Sequence, residues 1–371
     1  MVRKVLTFLK QETVLSVAAI LALGSMILIP PDAQYLSYLD FKVLVLLFCM
    51  MIVVAGFRKI GFFAFMGSWM TGKAKTARSL ELVLVFLCFF TSMLITNDVA
   101  LLTFVPFSIS LLQMTGQEKR IIPVVVLQTV AANLGSMLTP VGNPQNLYLY
   151  TLTGMGMGEF LKTMMPLTVI SFFMLLLILT AGNGKRIPLE IQPVKRGFVF
   201  DRAGWLYTVL FCLNMMTVAK VLPYQILFLM VAGAVLCFDR AAWKEPDYAL
   251  LATFVCFFVF IGNMQRLDGV RQLLNRIITD RELVTAIAAS QVISNVPAAV
   301  LLSGFTDQAK ALLYGTNIGG LGTLIASLAS LISYKFYVRI PGASTGAYLL
   351  CFTKWNVIFL TVLTAVAVIL P

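Results

Sequence analysis

Ala132-Asn133-Leu134-Gly135-Ser136-Met137-Leu138-Thr139 and Thr316-Asn317-Ile318-Gly319-Gly320-Leu321-Gly322-Thr323 spell one pattern twice: Asn, an aliphatic residue, Gly, a small residue, then Thr. Each copy follows a second shared element, Thr96-Asn97-Asp98 before the first and Ser294-Asn295-Val296-Pro297 before the second. Gly, Pro, Asn and Thr in the middle of apolar segments mark places where a membrane helix breaks. Paired breaks in the two halves of a membrane chain point to the substrate and ion sites of a secondary transporter.

The surrounding sequence has the solvent preference this requires. The chain is 60% hydrophobic and 12% charged over 371 residues, far from a soluble domain. Apolar segments recur at lengths that cross a hydrocarbon core of about 30 Å. They lack the apolar–polar alternation of a membrane barrel, so the chain reads as an all-α polytopic membrane protein. The net charge of +12 lies mostly in loops flanking the apolar segments, as the basic loops of a membrane protein do, and implies no nucleic acid partner. There is no histidine and no C-x-x-C spacing, and Cys49, Cys88, Cys212, Cys237, Cys256 and Cys351 fall singly in apolar runs. A metal or disulfide framework is therefore not expected, and the cysteines read as small core residues. Met1–Lys10 followed by apolar sequence from Val14 to Pro30 reads as a retained first span with its basic end in the cytoplasm.

Full spans are expected near 12–30, 41–57, 121–150, 160–182, 204–220, 222–238, 248–264, 308–333 and 345–370, about nine in all. Segments 80–114 and 283–306 are broken at their centres and read as re-entrant hairpins, tolerated only where protein or a water-filled cavity satisfies the backbone. Spans one to four with the first hairpin make one unit, 1–183. Spans six to nine with the second make another, 222–371. The loop and linker span 184–221, with Pro188 and Pro193, join them, and that odd crossing inverts the second unit. An N-terminus inside puts most Lys and Arg inside. The dissenting Arg266, Arg271, Arg276 and Arg281 fall on an amphipathic segment suited to the membrane interface. Residues 58–76 form its counterpart before the first hairpin.

Asp98 lies within an apolar segment, where a carboxylate costs about 2.5–3.5 kcal/mol, so it reads as a cation ligand, a proton carrier, or both. Asn97 and Asn295 offer amide groups at matching tips; helix capping is the plainer role for either alone. Thr139-Pro140-Val141-Gly142-Asn143-Pro144-Gln145-Asn146 cannot continue a helix, because two prolines remove donors and Gly142 frees the backbone. Half-helix N-termini there would face an anion, and freed carbonyls could hold Na⁺. The second copy, with Asn317, Gly319, Thr323 and Ser327, has no proline, and close helix packing through small residues is its alternative reading. Lys354 reads as a snorkelling cation or, more sharply, as a charge partner for Asp98.

At these residues the chain resembles the ion transporter superfamily: arsenite/antimonite permeases, NhaD-type sodium/proton antiporters, the melanocyte P protein, citrate-transporter-like carriers and divalent-anion/sodium symporters. Asn-Asp followed by Asn-aliphatic-Pro is similar to the arsenite-permease, NhaD and P-protein branch. Gly142-Asn143-Pro144-Gln145-Asn146 is similar to the Gly-x-Pro-Pro-Asn element of P-protein-like members. The resemblance implies an elevator-type carrier, a homodimer in the lipid bilayer, whose hairpins and broken helices form the moving part. Thr96, Asn97, Asp98, Gly142 and Asn143 would serve one pole of the site, with Na⁺ at Asn97, Asp98 and Gly142. Ser294, Asn295, Thr323 and Ser327 would serve the other. NhaD-like members carry an acid where this chain has Ser294.

The expected function is a secondary carrier in a bacterial inner membrane. It would move a small anion (an inorganic oxyanion or a di-/tricarboxylate) coupled to H⁺ or Na⁺. The alternative is a Na⁺(Li⁺)/H⁺ antiporter. No nucleotide motif, histidine, Asp-rich diphosphate motif or Gly-x-Gly-Asp motif is present, so neither an enzyme nor a cofactor is expected.

Overall fold

The computed structural model describes residues 12–72, 74–181 and 201–370, which form helices joined by short turns, with no strand among them. The first half runs α1 (Thr13–Leu28), α2 (Phe41–Lys59), α3 (Phe62–Thr71), α4 (Ala77–Thr91), α5 (Asn97–Met114), α6 (Ile121–Ser136), α7 (Pro144–Thr153) and α8 (Met157–Ala181). After α9 (Arg202–Val218) come α10 (Tyr224–Phe238), α11 (Tyr248–Gln265), α12 (Asp268–Ile278), α13 (Glu282–Ile293), α14 (Asn295–Ser303), α15 (Ala309–Gly319), α16 (Leu328–Tyr337) and α17 (Thr345–Ile369). The basic N-terminal segment and most of the expected boundary loop lie outside the described residues.

Local chemistry sets the ends of these helices. Asp40 caps α2 by accepting from the Val43 N–H at 3.0 Å, and Asp247 caps α11 by accepting from the Leu250 N–H at 2.9 Å. Thr76 and Ser79 form a reciprocal capping box at α4, which satisfies donors that a helix start leaves free. Pro144 takes the first position of α7 behind an Asn143 cap, where a missing N–H costs nothing.

The core is built around α6, whose residues from Val124 to Ser136 are all buried. It is packed by α4, α5, α8, α16 and α17. Gly135 permits the α4–α6 approach, since a Cβ there would lie 2.0 Å from the Phe89 carbonyl oxygen. Its counterpart Gly319 does the same between α13 and α15, against Ser290 Oγ at 2.6 Å. The outer faces are apolar: Phe173, Leu177, Leu229, Phe238, Leu350 and Val368 are 60–76% exposed. Side chains of that kind over so much of the surface suit a lipid solvent.

The structure bears on three expectations. Five helices among the described residues (α2, α5, α8, α11 and α17) have both the length and the apolarity of a crossing. Four of them fall on expected spans and α5 falls in the first expected hairpin; of the other expected spans, 121–150 and 308–333 are each two half-helices, as their broken motifs implied, and α1, α9 and α10 have 16, 17 and 15 residues. The second arm of the first expected hairpin departs from a re-entrant arm in length. α5 has 18 residues, about 27 Å at 1.5 Å per residue, whereas α14 has 9. Finally, only Cys49 and Cys88 are buried, while Cys212 and Cys237 are exposed on outward apolar faces.

Candidate functional site

The two hairpin tips close onto the two broken helices by the same bonds. The Asn97 N–H, opening α5, donates to the Gly142 carbonyl at 3.0 Å; the Asn295 N–H, opening α14, donates to the Ala326 carbonyl at 3.0 Å. Thr139 Oγ1 donates to the Met93 carbonyl, and Thr323 Oγ1 donates to the Gln291 carbonyl at 3.1 Å. Within each tip and each break the spacing is the same, four residues from Met93 to Asn97 and from Gln291 to Asn295, three from Thr139 to Gly142 and from Thr323 to Ala326, so Asn97, Thr139, Gly142 and Asn143 correspond to Asn295, Thr323, Ala326 and Ser327.

Amide side chains fill the space between the tips. Asn133 Oδ1 accepts from Asn97 Nδ2 at 2.9 Å and from Ser327 Oγ at 3.1 Å. Its own Nδ2 reaches the Gly320 carbonyl at 3.5 Å. Asn317 Oδ1 accepts from Asn143 Nδ2 at 3.1 Å, and Asn317 Nδ2 donates to Asn146 Oδ1 at 2.6 Å. Each interrupted helix thus supplies an Asn that bonds to the break in the other half. Asn146 Nδ2 also lies within 3.2–3.4 Å of the carbonyls of Ser136, Met137 and Thr139, which a helix end leaves without partners. Asn143 Oδ1 accepts from the Asn146 N–H at 2.9 Å.

Four helix N-termini meet in this network, those of α5, α7, α14 and α16. Each carries partial positive charge. Every buried polar side chain among the described residues is an uncharged Ser, Thr, Asn or Gln. The cluster therefore offers donors, acceptors and helix dipoles but no side-chain cation.

The sequence-derived residues divide three ways. Asn97, Asn143, Asn146, Asn317 and Ser327 join the network, and Asn295 borders it, its amide lying beside Gly320. Gly142, Thr139 and Thr323 hold the breaks to the tips, and Gly319 sits at a helix contact. Ser294 is buried with φ +74°, in the left-handed region that an L side chain adopts at a cost of about 1–3 kcal/mol. Its one-residue turn replaces the five residues 92–96 of the first tip.

Asp98 stands apart. With Thr96 it lines a cavity of about 150 Å³ between the first tip and α2, edged by Arg58, Glu245 and Asp247. No hydrogen bond or ion pair to its carboxylate is found among the described residues. Lys354 is exposed and lies over the Trp355 ring at 4.8 Å. It does not line the Asp98 cavity, which goes against the charge-partner reading. The oxygens expected to hold Na⁺ have other duties: Asn97 Oδ1 accepts from the Asp98 N–H at 2.9 Å, and the Gly142 carbonyl accepts from Asn97.

Sequence reasoning missed Asn133, the hub of the cluster, although it holds the same place in the repeated pattern as Asn317. It also missed Gln291, whose side chain donates to the Gly319 and Leu321 carbonyls at 2.8 and 2.9 Å and accepts from the Thr323 N–H at 2.9 Å. Arg58, Glu245 and Asp247 carried no local signal, because they border loops where charge is ordinary.

Comparison with known proteins agrees in kind. The family model described as citrate transporter matches residues 5–312. An uncharacterized transporter of Methanocaldococcus jannaschii is 31% identical over 298 residues, covering 80% of this chain and 81% of the relative. The inner membrane protein YbiR of Escherichia coli is 28% identical over 303 residues, 80% of each chain. The silicon efflux transporter of Oryza sativa subsp. japonica is 28% identical over 138 residues, 37% of this chain and 28% of the relative. The chain belongs to the citrate transporter family and is an integral membrane transport protein, not an enzyme.

Proposed function

We propose that this member of the citrate transporter family is a proton-coupled secondary carrier for a small hydroxylated inorganic oxyacid or its oxyanion. The observation that carries the reading is the uncharged amide cluster at the meeting of four helix N-termini. Amides and hydroxyls both donate and accept, which suits a compact solute bearing several hydroxyls and little charge. A tricarboxylate would bring up to three negative charges to a site with no buried cation, and desolvating them there is costly. The silicon transport named for the rice relative belongs to the same chemical class.

Asp98 is the coupling group, and the proton its cargo. It lines a cavity with many apolar walls, and its carboxylate has no hydrogen-bond partner among the described residues. The Na⁺(Li⁺)/H⁺ antiporter is the second reading and draws on the same carboxylate.

An inverted repeat, units 1–183 and 222–371 joined by 184–221, underlies the carrier. Helix packing supports it: exchanging α1–α8 for α10–α17 turns the pairs α4–α6, α5–α16 and α6–α17 into α13–α15, α14–α7 and α15–α8, all in contact. The exchange is incomplete: α2–α7, α3–α5 and α4–α8 have no counterpart of like extent in α11–α16, α12–α14 and α13–α17, and one further difference bears on the site. α11 packs on α14, but between α2 and α5 lies the Asp98 cavity. One gate open and its counterpart closed is what alternating access asks of an inverted pair. The hairpins and broken helices form the moving body of an elevator-like homodimer in the lipid bilayer of a bacterial inner membrane, N-terminus inside.

Thermal stabilisation tests the solute class, because a ligand that binds only the folded state raises its melting temperature. Silicic or arsenous acid should stabilise the purified protein and fail to stabilise Asn133→Ala. Stabilisation by citrate alone, or by Na⁺ alone, would reject the proposed substrate.

A further inference from the structure

Asp98 has no partner for its charge once its proton leaves, yet its cavity has a cation on the rim. One face of α2 lines the cavity with Leu47, Met50, Val54 and Arg58. Arg58 Nη2 meets Glu245 Oε2 at 2.7 Å, with side chains 46% and 42% exposed. The pair is thus an exposed part of the lining of a space that the carboxylate also lines. An ion pair so exposed contributes at most about 1 kcal/mol, and Arg keeps its charge whatever partner it takes. A carboxylate among apolar side chains stands to gain far more from a cation than a wet one does.

We propose that Arg58 is the exchangeable counter-ion of Asp98, parked on Glu245 while Asp98 is protonated and drawn into the cavity when Asp98 releases its proton. The proton goes to the cavity water, and Arg58 stays protonated throughout. The inference rests on the proposed role of Asp98 as proton carrier and adds a named partner to it. Asp247, the third charge lining the cavity, is fixed as the cap of α11 and adds negative potential; Arg58 is the one cation among the lining residues. The other elements packed on α5 bring Arg78, Glu81, Glu118, Lys119, Arg120 and Lys335. None of these lines the cavity, and Arg120 is held by Glu81 at 2.7 Å.

The test follows the infrared band of the protonated carboxyl group in the purified protein across pH, assigned to Asp98 by its loss in Asp98→Asn. Arg58→Gln should raise the midpoint of that band by about one pH unit, the effect of removing an opposite charge nearby. Glu245→Gln should lower it by releasing Arg58. In the Arg58→Gln background, Glu245→Gln should lower it much less, because only the direct repulsion by Glu245 remains to be removed and there is no Arg58 to release. An equal Glu245→Gln shift in both backgrounds would overturn the proposal, as would a midpoint indifferent to Arg58. If the single variants fold poorly, the exchange Arg58→Glu/Glu245→Arg restores the ion pair. Its midpoint should still lie above the wild type; a return to the wild-type value would mean the pair is only structural. Failure of Asp98 as the coupling group would appear separately, as proton-coupled transport that survives Asp98→Asn.

Discussion

The loop that interrupts the first helix pair, 137–143, is buried along most of its length, whereas its counterpart 320–326 leaves Thr323 and Ile325 exposed. The first is shaped by backbone: Pro140 and Pro144 remove donors, and Gly142 tucks against Ser136. The second has no proline and is shaped by one side chain, Gln291, which clamps two carbonyls and an N–H. At the position matching Gln291 the first half has Met93, which contributes its carbonyl to Thr139. The tips differ in the same sense. The first carries Asp98 beside a cavity; the second has Val296 at that place, buried against its surroundings. Two copies of one backbone plan have thus diverged chemically, one holding a titratable group and the other only neutral ones. The titratable tip belongs to the first half, and the amide cluster is shared by both.

The comparison breaks most sharply at Gly142. A Cβ there would stand 2.0 Å from the Ser136 carbonyl oxygen, and backbone cannot yield as a side chain does. Gly142→Ala should cost about 3 kcal/mol, read as a lower melting temperature and loss of monodisperse protein. The matching position already holds Ala326, so Ala326→Gly should be mild by the same measurement. Next comes Asn133→Ala, which strips acceptors from Asn97 and Ser327. A loss of about 2 kcal/mol is expected for buried groups left unpaired, checked by chemical unfolding in detergent. Gln291→Met gives the second half the residue of the first. It should cost about 1 kcal/mol and speed amide exchange in 319–326 while leaving 137–143 unchanged; equal protection of both loops would remove the distinction.

The smallest effect lies at the ion pair of Lys59 and Asp239, 2.8 Å apart, which Tyr207 joins by donating to the carboxylate at 2.7 Å. The Lys59 ammonium, with Tyr207, holds the Asp239 carboxyl below its ordinary 3.8. A depressed carboxylate stabilises the fold above its ordinary value, and that contribution is lost as pH falls through the lower folded-state value. Asp239→Asn should therefore lower the melting temperature slightly at neutral pH, with the difference closing below pH 3.8.

Much of this architecture was legible in the sequence because breaking a membrane helix requires unusual residues. Pro140, Gly142 and Pro144 announced the first break, and the repeated Asn-aliphatic-Gly pattern announced the second where no proline did. The two hairpins were readable from Asn97 and Asn295 in apolar surroundings. What stayed hidden depends on distance in space. Nothing local to Asn133 says that it receives bonds from both halves, and nothing local to Gln291 distinguishes a clamp from a polar residue at a helix end. Arg58 and Glu245 are 187 positions apart, and each looks like an ordinary loop-border charge.

Proton movement driven by solute is the most direct test of the account. Proteoliposomes loaded with a pH-sensitive dye would be challenged with silicic acid, arsenous acid, citrate, Na⁺ and Li⁺ in turn, for the wild type and Asp98→Asn. Proton flux on adding silicic or arsenous acid, abolished by Asp98→Asn, is the predicted result. Flux elicited by Na⁺ or Li⁺ without any solute, or solute-driven flux undiminished in Asp98→Asn, would contradict it.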